Sequence, residues 1–184
     1  MRGLLLLLIT ISVASCIVLV FLGNMLIQRE PSLPFTKTFE IADKLNTQKE
    51  IRVDLELKVL KVSSQLRFEL ENATLKFNIT RIILYWEAPS PKLDKYTGEL
   101  WSIWGTGSEC GVSSWIIVED DGLRLKIYYV NTTLSTVHKI SLIEEDRIKL
   151  CFVASECRII LDDIEVYRFS GYREIHIVEL LIKE

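Results

Sequence analysis

Glu50-Ile51-Arg52-Val53-Asp54-Leu55-Glu56-Leu57-Lys58-Val59 is the stretch that decides the fold class: every odd position is apolar and every even position is charged. A period of two is that of a strand, whose successive side chains point to opposite faces, so this segment predicts a strand with one wet and one dry face. Leu66, Phe68 and Leu70 continue the apolar series on even positions, and Leu75, Phe77 and Ile79 carry it on odd ones. A change of parity requires a turn or bulge, which places one near Glu71-Asn72-Ala73-Thr74. Asn78 and Thr80 then point away from the core.

Outward from there, Ile82-Ile83-Leu84-Tyr85-Trp86 breaks the alternation and predicts a central strand buried on both faces. Pro89-Ser90-Pro91 ends it in a loop. Leu100 to Trp104 predicts a short strand, followed by a loop at Gly105-Thr106-Gly107-Ser108. Trp115 to Val118 and Leu123 to Val130 flank Glu119-Asp120-Asp121-Gly122, where the Asp-Gly pair marks a tight hairpin turn. Arg147 to Ala154 and Cys157 to Leu161 read as a second hairpin about Ser155-Glu156, and Glu165 to Phe169 and Glu174 to Ile182 close the chain. No segment reads convincingly as a soluble helix. The expected fold is all-β, an antiparallel jelly-roll-like β-sandwich.

The other decisive stretch is the start. Gly3 to Ile27 is 25 residues without a charge, nearly all of them apolar. At about 1.5 Å per residue, such a helix outreaches the roughly 30 Å hydrocarbon core of a bilayer. A secretory leader would have an apolar run of about 7–15 residues and then a small-residue cleavage site. The chain therefore divides into a transmembrane signal anchor at 1–27, a juxtamembrane linker at 28–38 stiffened by Pro31 and Pro34, and an extracytoplasmic domain at 39–184. Arg2 before the run and Arg29-Glu30 after it favour a cytoplasmic N-terminus, by a small margin. Three of the five asparagines, Asn72, Asn78 and Asn131, head Asn-X-Thr sequons, which suits an exported glycoprotein.

Two motifs inside the anchor carry alternatives. Val13-Ala14-Ser15-Cys16 is similar to a bacterial lipobox, although the apolar run continues after the cysteine. Arg2-Gly3-Leu4-Leu5 resembles the start of an archaeal type IV prepilin, which implies cleavage after Gly3 and a filament subunit.

Composition excludes other classes. Lysine and arginine number 22 against 25 acids, a net charge of −3, with no basic block, so the chain lacks the electrostatic footprint of nucleic-acid binding. The residues beyond the anchor suffice for one domain with a substantial core.

The order of the strands points to a family. Phe77-Asn78-Ile79-Thr80 leading to Tyr85-Trp86-Glu87-Ala88-Pro89 resembles the opening strand of laminin G-like domains of the concanavalin A-like jelly rolls. Leu100 to Gly105 is similar to their next strand, and Trp115 to Leu125 to the hairpin after it. Lys149 to Val153 and then Arg158 to Val166 resemble their paired strands ending in an Asp-Gly turn, with Asp163 where the glycine would fall. The Trp-His pair of that family is replaced by Glu144-Glu145-Asp146-Arg147. The resemblance implies a binding or structural module more readily than an enzyme.

Candidate sites follow from residue chemistry. Cys151 and Cys157 flank the proposed turn, where opposite strand residues come close enough for a disulfide; two reduced, packed thiols are the alternative. Cys110 has no obvious partner, and no histidines sit near enough to suggest zinc. Arg52, Asp54 and Glu56 share a strand face, but the charges run on through Glu50 and Lys58 as on a solvated surface. Asp162, Asp163 and Glu165 form an acidic turn more readily than a calcium site. His138 and His176 lie beside no nucleophile motif. The sequence thus presents no catalytic residue, metal site or cofactor motif. Trp101 and Trp104 border the glycine-rich loop and are the candidates for stacking on a sugar; burial of one or both is the alternative.

The functional expectation is a non-catalytic recognition or assembly module at the cell membrane. Residues 3–27 hold the bilayer, and the outer domain binds a carbohydrate or surface protein, as a homo-oligomer or within a larger membrane complex. The alternative is the pilin-like filament subunit.

Overall fold

A computed structural model describes residues 34–183. The expected anchor at 1–27, Cys16, the prepilin-like start and most of the linker lie outside the described residues. Among the described residues no helix is long and apolar enough to cross a membrane.

Helix α1 (Lys37–Thr47) opens the structure, beginning in the last two residues of the expected linker, and corrects the expectation that the soluble part has no helix. Thr38, Ile41, Ala42 and Leu45, spaced three and four apart, form its buried stripe. Glu40 bridges Lys37 and Lys44 on the exposed side. Three turns with three buried apolar side chains give too weak a period to stand out in sequence, and the helix is stabilised by packing on strands rather than by its own propensity.

Nine strands follow: β1 (Glu50–Leu70), β2 (Ala73–Glu87), β3 (Lys92–Asp94), β4 (Trp101–Thr106), β5 (Glu109–Ser114), β6 (Ile117–Asp120), β7 (Arg124–Asn131), β8 (Thr136–Leu161) and β9 (Ile164–Lys183). They form one sheet in the order β3-β4-β5-β2-β1-β8-β9-β7-β6. Pairing is antiparallel except for β1 with β8 and β7 with β9. β2 and β7 are four strand steps apart, about 19 Å in a flat sheet. They nevertheless approach within 8 Å at Cα, so the sheet curls over itself. The fold is an all-β sandwich.

Two hydrophobic cores lie on opposite faces of the sheet. The β1–β2 ladder runs without interruption from Lys58↔Tyr85 to Leu70↔Ala73. On β2, Ile82, Leu84 and Trp86 join one core and Ile79 the other; even and odd positions of one strand face opposite ways. On β9, Val178, Leu180 and Ile182 join the first core, and Ile175 and Ile177 the second. The non-alternating runs Ile82-Ile83-Leu84 and Ile175 to Leu180 therefore mark the places where burial passes from one face to the other. The expected doubly buried central strand is one of these.

The turn expected near residues 71–74 is the two-residue tip between β1 and β2. The Asp-Gly hairpin joins β6 to β7, with Gly122 at φ 91°. The expected hairpin about Ser155-Glu156 is absent. β8 runs straight through it, and its register against β9 steps from Ala154↔Gly171 to Cys157↔Phe169, one extra residue on β8. The polar pair is a bulge, not a turn. β9 likewise is one strand where two were expected.

This corrects the proposed disulfide. Cys151 and Cys157 lie on one strand six positions apart, which is about 20 Å of extended chain and far beyond bridging range. Cys110, Cys151 and Cys157 are all free. The expected loop after Gly105 is a tight turn into β5; within β5, Gly111 lies so close to β2 that a Cβ would sit 1.9 Å from the Leu84 carbonyl oxygen.

Candidate functional site

A groove of about 560 Å³ opens where the end of α1 meets β6, β7, β8 and β9. Its apolar floor is Leu45, Leu100, Ile117, Tyr128, Leu142 and Leu180. Asp43, Glu99, Glu119 and Glu144 stand around it, against Lys49 as the one cation among its lining residues. The C-terminal end of α1 contributes Leu45, Asn46 and Thr47, so the negative pole of the helix adds to the carboxylate field.

The walls are held by specific bonds. Trp101 N–H donates to Asn46 Oδ1 at 2.9 Å, and Asn46 Nδ2 donates to the Trp101 carbonyl at 2.9 Å, which pins α1 to the start of β4. Asn46 Nδ2 also reaches Glu99 Oε2 at 2.8 Å. Tyr128 OH donates to Glu119 at 3.2 Å, and Lys49 pairs with Glu144 at 2.9 Å. Four carboxylates facing one lysine over apolar floor favour a ligand with positive charge and an apolar body.

A second polar cluster is closed. Arg81 is buried, its guanidinium carbon 3.6 Å from the centre of the Trp115 ring. Its Nη2 donates to Asp94 at 3.0 Å and to Ser113 Oγ at 2.6 Å, and its Nε to the Ser114 carbonyl at 3.2 Å. Asp162 Oδ2 lies 3.9 Å from Nη1. Nε and Nη2 bond protein and Nη1 faces Asp162, so the buried cluster is a lock rather than a ligand site.

The third cluster surrounds Glu179, which is buried on β9. Tyr129 OH donates to it at 3.1 Å, Asn131 Nδ2 at 2.7 Å and Arg147 Nε at 2.7 Å. Burial pushes the Glu179 carboxyl up, but the bonds from Asn131, Arg147 and Tyr129 outweigh it and hold it below the ordinary glutamate range. Burial, and then the Glu179 charge, push Tyr129 up to about 12.

The residues singled out in the sequence do not converge. Trp101 is fully buried and Trp104 is 8 % exposed, so neither indole presents a face for stacking. Asn72 and Asn78 are exposed, at and near the β1–β2 tip. Asn131 is half-buried with its amide committed to Glu179. Arg52, Asp54 and Glu56 are exposed on β1. Asp162 accepts from Gln65 N–H at 2.9 Å, Asp163 pairs with Arg67 and Glu165 with Arg168. Among the described residues, no group of three or more histidines, cysteines or acids is arranged to hold a metal. Burial pushes the Cys110 and Cys157 thiols up to about 11, which makes them packing residues at neutral pH. The groove itself had no signal in the sequence, because its carboxylates are spread from Asp43 to Glu144 and belong to unremarkable segments.

No protein-family model, curated protein or solved structure matches this chain.

Proposed function

We propose that this protein is a membrane-anchored, non-catalytic recognition or assembly module whose outer domain docks a basic partner protein in the acid-rimmed groove. The observation that carries the reading is the groove's composition, four carboxylates and one lysine over an apolar floor. A protein ligand suits it better than a sugar, because both candidate stacking indoles are buried. The apolar run at 3–27 and the exposed Asn72 and Asn78 support a surface location. A laminin G-like ancestry is compatible with the all-β sandwich, although the segments likened to that family's paired strands, 149–153 and 158–161, are one strand here, and it implies a binding module.

The test has two parts. Intact mass of the protein from its native membranes should show a chain beginning at Met1 and sugars on Asn72 and Asn78; a chain beginning at Leu4 would replace this reading with the filament subunit. Photo-crosslinkers placed at Ile117 and Leu142 in the full chain should capture one defined membrane or surface protein, and crosslinkers on the exposed β1 face at Asp54 should not.

A further inference from the structure

β6 is an edge strand of the sheet, paired only with β7. The Asp121 N–H bonds to the Arg124 carbonyl at 3.0 Å. Hydrogen-bonded pairs alternate along an antiparallel ladder, so Glu119–Lys126 and Ile117–Tyr128 are the next bonded pairs. The N–H and C=O groups of Val118 and Asp120 consequently turn away from β7, toward the open side. The side chains of the intervening residues, Ile117 and Glu119, line the groove. Unpaired main chain and groove wall thus belong to the same strand.

Sheet edges of this kind are usually protected. The opposite edge, β3, has three residues and its Asp94 is tied to Arg81. β6 has acidic side chains instead, Glu119 and Asp120. An acidic edge repels a second acidic edge, which hinders self-pairing, and attracts a basic strand. Asp120 is already bound to Arg173 at 3.0 Å and to Tyr167 at 3.0 Å, which holds the strand in place and leaves the groove-side Glu119 to meet the ligand.

From this geometry, and resting on the recognition reading above, we infer that the partner contributes an extended segment that adds to β6 as a new edge strand. On its groove face, to which every second residue points, it carries a lysine or arginine facing Glu119 and an apolar residue meeting the floor beside Ile117. Main-chain bonds to Val118 and Asp120 supply affinity, and the two-residue period of the ligand supplies specificity.

The experiment measures binding of the full chain, in nonionic detergent, to a fluorescent peptide of two Lys-Thr-Val-Thr repeats, eight residues long, whose groove-facing positions alternate Lys and Val. Two N-methylated forms carry the methyls on alternate amides, one on the odd and one on the even set. The same peptide with Glu in place of Lys is the charge control. Strand addition predicts that one N-methylated form binds about tenfold more weakly, corresponding to loss of roughly one hydrogen bond, while the other stays within about twofold. Glu119→Gln with Glu144→Gln should weaken the parent peptide, salt should do the same, and the Glu-substituted peptide should not bind. Equal binding of the two N-methylated forms, with the carboxylate dependence kept, would overturn strand addition while leaving groove recognition standing. Absence of peptide binding, or binding indifferent to the two Gln substitutions, would overturn the inference outright. The crosslinking at Ile117 and Leu142 judges the recognition reading separately.

Discussion

The Arg81 cluster and the acid-rimmed groove both gather carboxylates from distant parts of the chain, and they use them in opposite ways. Around Arg81, Asp94 and Asp162 approach a buried cation that also bonds two serines and lies over Trp115. In the groove the four carboxylates face one lysine, and the floor beneath them is apolar. A buried charge must be matched inside the protein, whereas carboxylates at an open rim can be matched by water or by a ligand. The difference separates a site that holds the fold together from one available to a partner.

Replacing Arg81 strikes the closed cluster and has the largest expected effect. Arg81→Ala removes the guanidinium from Ser113, Ser114 and Trp115 and should cost about 3 kcal/mol, Asp94 being exposed enough to regain water. Thermal unfolding of the full chain in detergent checks this, and a loss under about 1 kcal/mol would put Arg81 in the same class as the groove acids.

Glu179 gives the next largest effect and a pH signature. Its carboxyl titrates lower in the folded chain than its ordinary value of 4.5. The stability it contributes is therefore complete above about that pH and is lost as pH falls through the lower folded value. Glu179→Gln should cost about 1–2 kcal/mol at pH 7 and should flatten the decline in melting temperature between about pH 5 and 3. An unchanged acid limb would show that other carboxylates, Asp120 among them, dominate it.

Asp163 offers a smaller effect of opposite sign. Asp162 and Asp163 form the β8–β9 turn with φ of 46° and 69°, the left-handed region where glycine is favoured. Asp163→Gly should stabilise by about 0.5–1 kcal/mol, since the lost pair with Arg67 involves a carboxylate that is 86 % exposed. A destabilised variant would mean that the Arg67 contact matters more than the backbone. The smallest effect belongs to the groove: Glu119→Gln with Glu144→Gln should change stability by less than about 0.5 kcal/mol while weakening capture of the basic peptide. That contrast with Arg81→Ala is the sharpest check on the distinction between lock and groove.

Parts of this architecture were legible in particular residues. The alternation from Glu50 to Val59, the parity change near Asn72 and the Asp121-Gly122 turn each follow from local rules, and each appears in the structure. Ser155-Glu156 misled because a polar pair marks a bulge as readily as a turn, and only the register against β9 distinguishes the two. The supposed disulfide failed with it. The tryptophans misled in the same way, since proximity to glycines says nothing about which face of a strand is covered. The groove was out of reach altogether, because none of its carboxylates is close in sequence to the others that matter.

The sequence by itself determined the all-β class, most strand positions and the apolar run at 3–27, because hydrophobic period and turn chemistry are local properties of the chain. Tertiary structure alone decided that two cores occupy opposite faces of one sheet, that Arg81 is enclosed and that β6 lies open beside four carboxylates. Those outcomes depend on which strands become neighbours, and strand neighbours are chosen by long-range packing that no short window of residues contains.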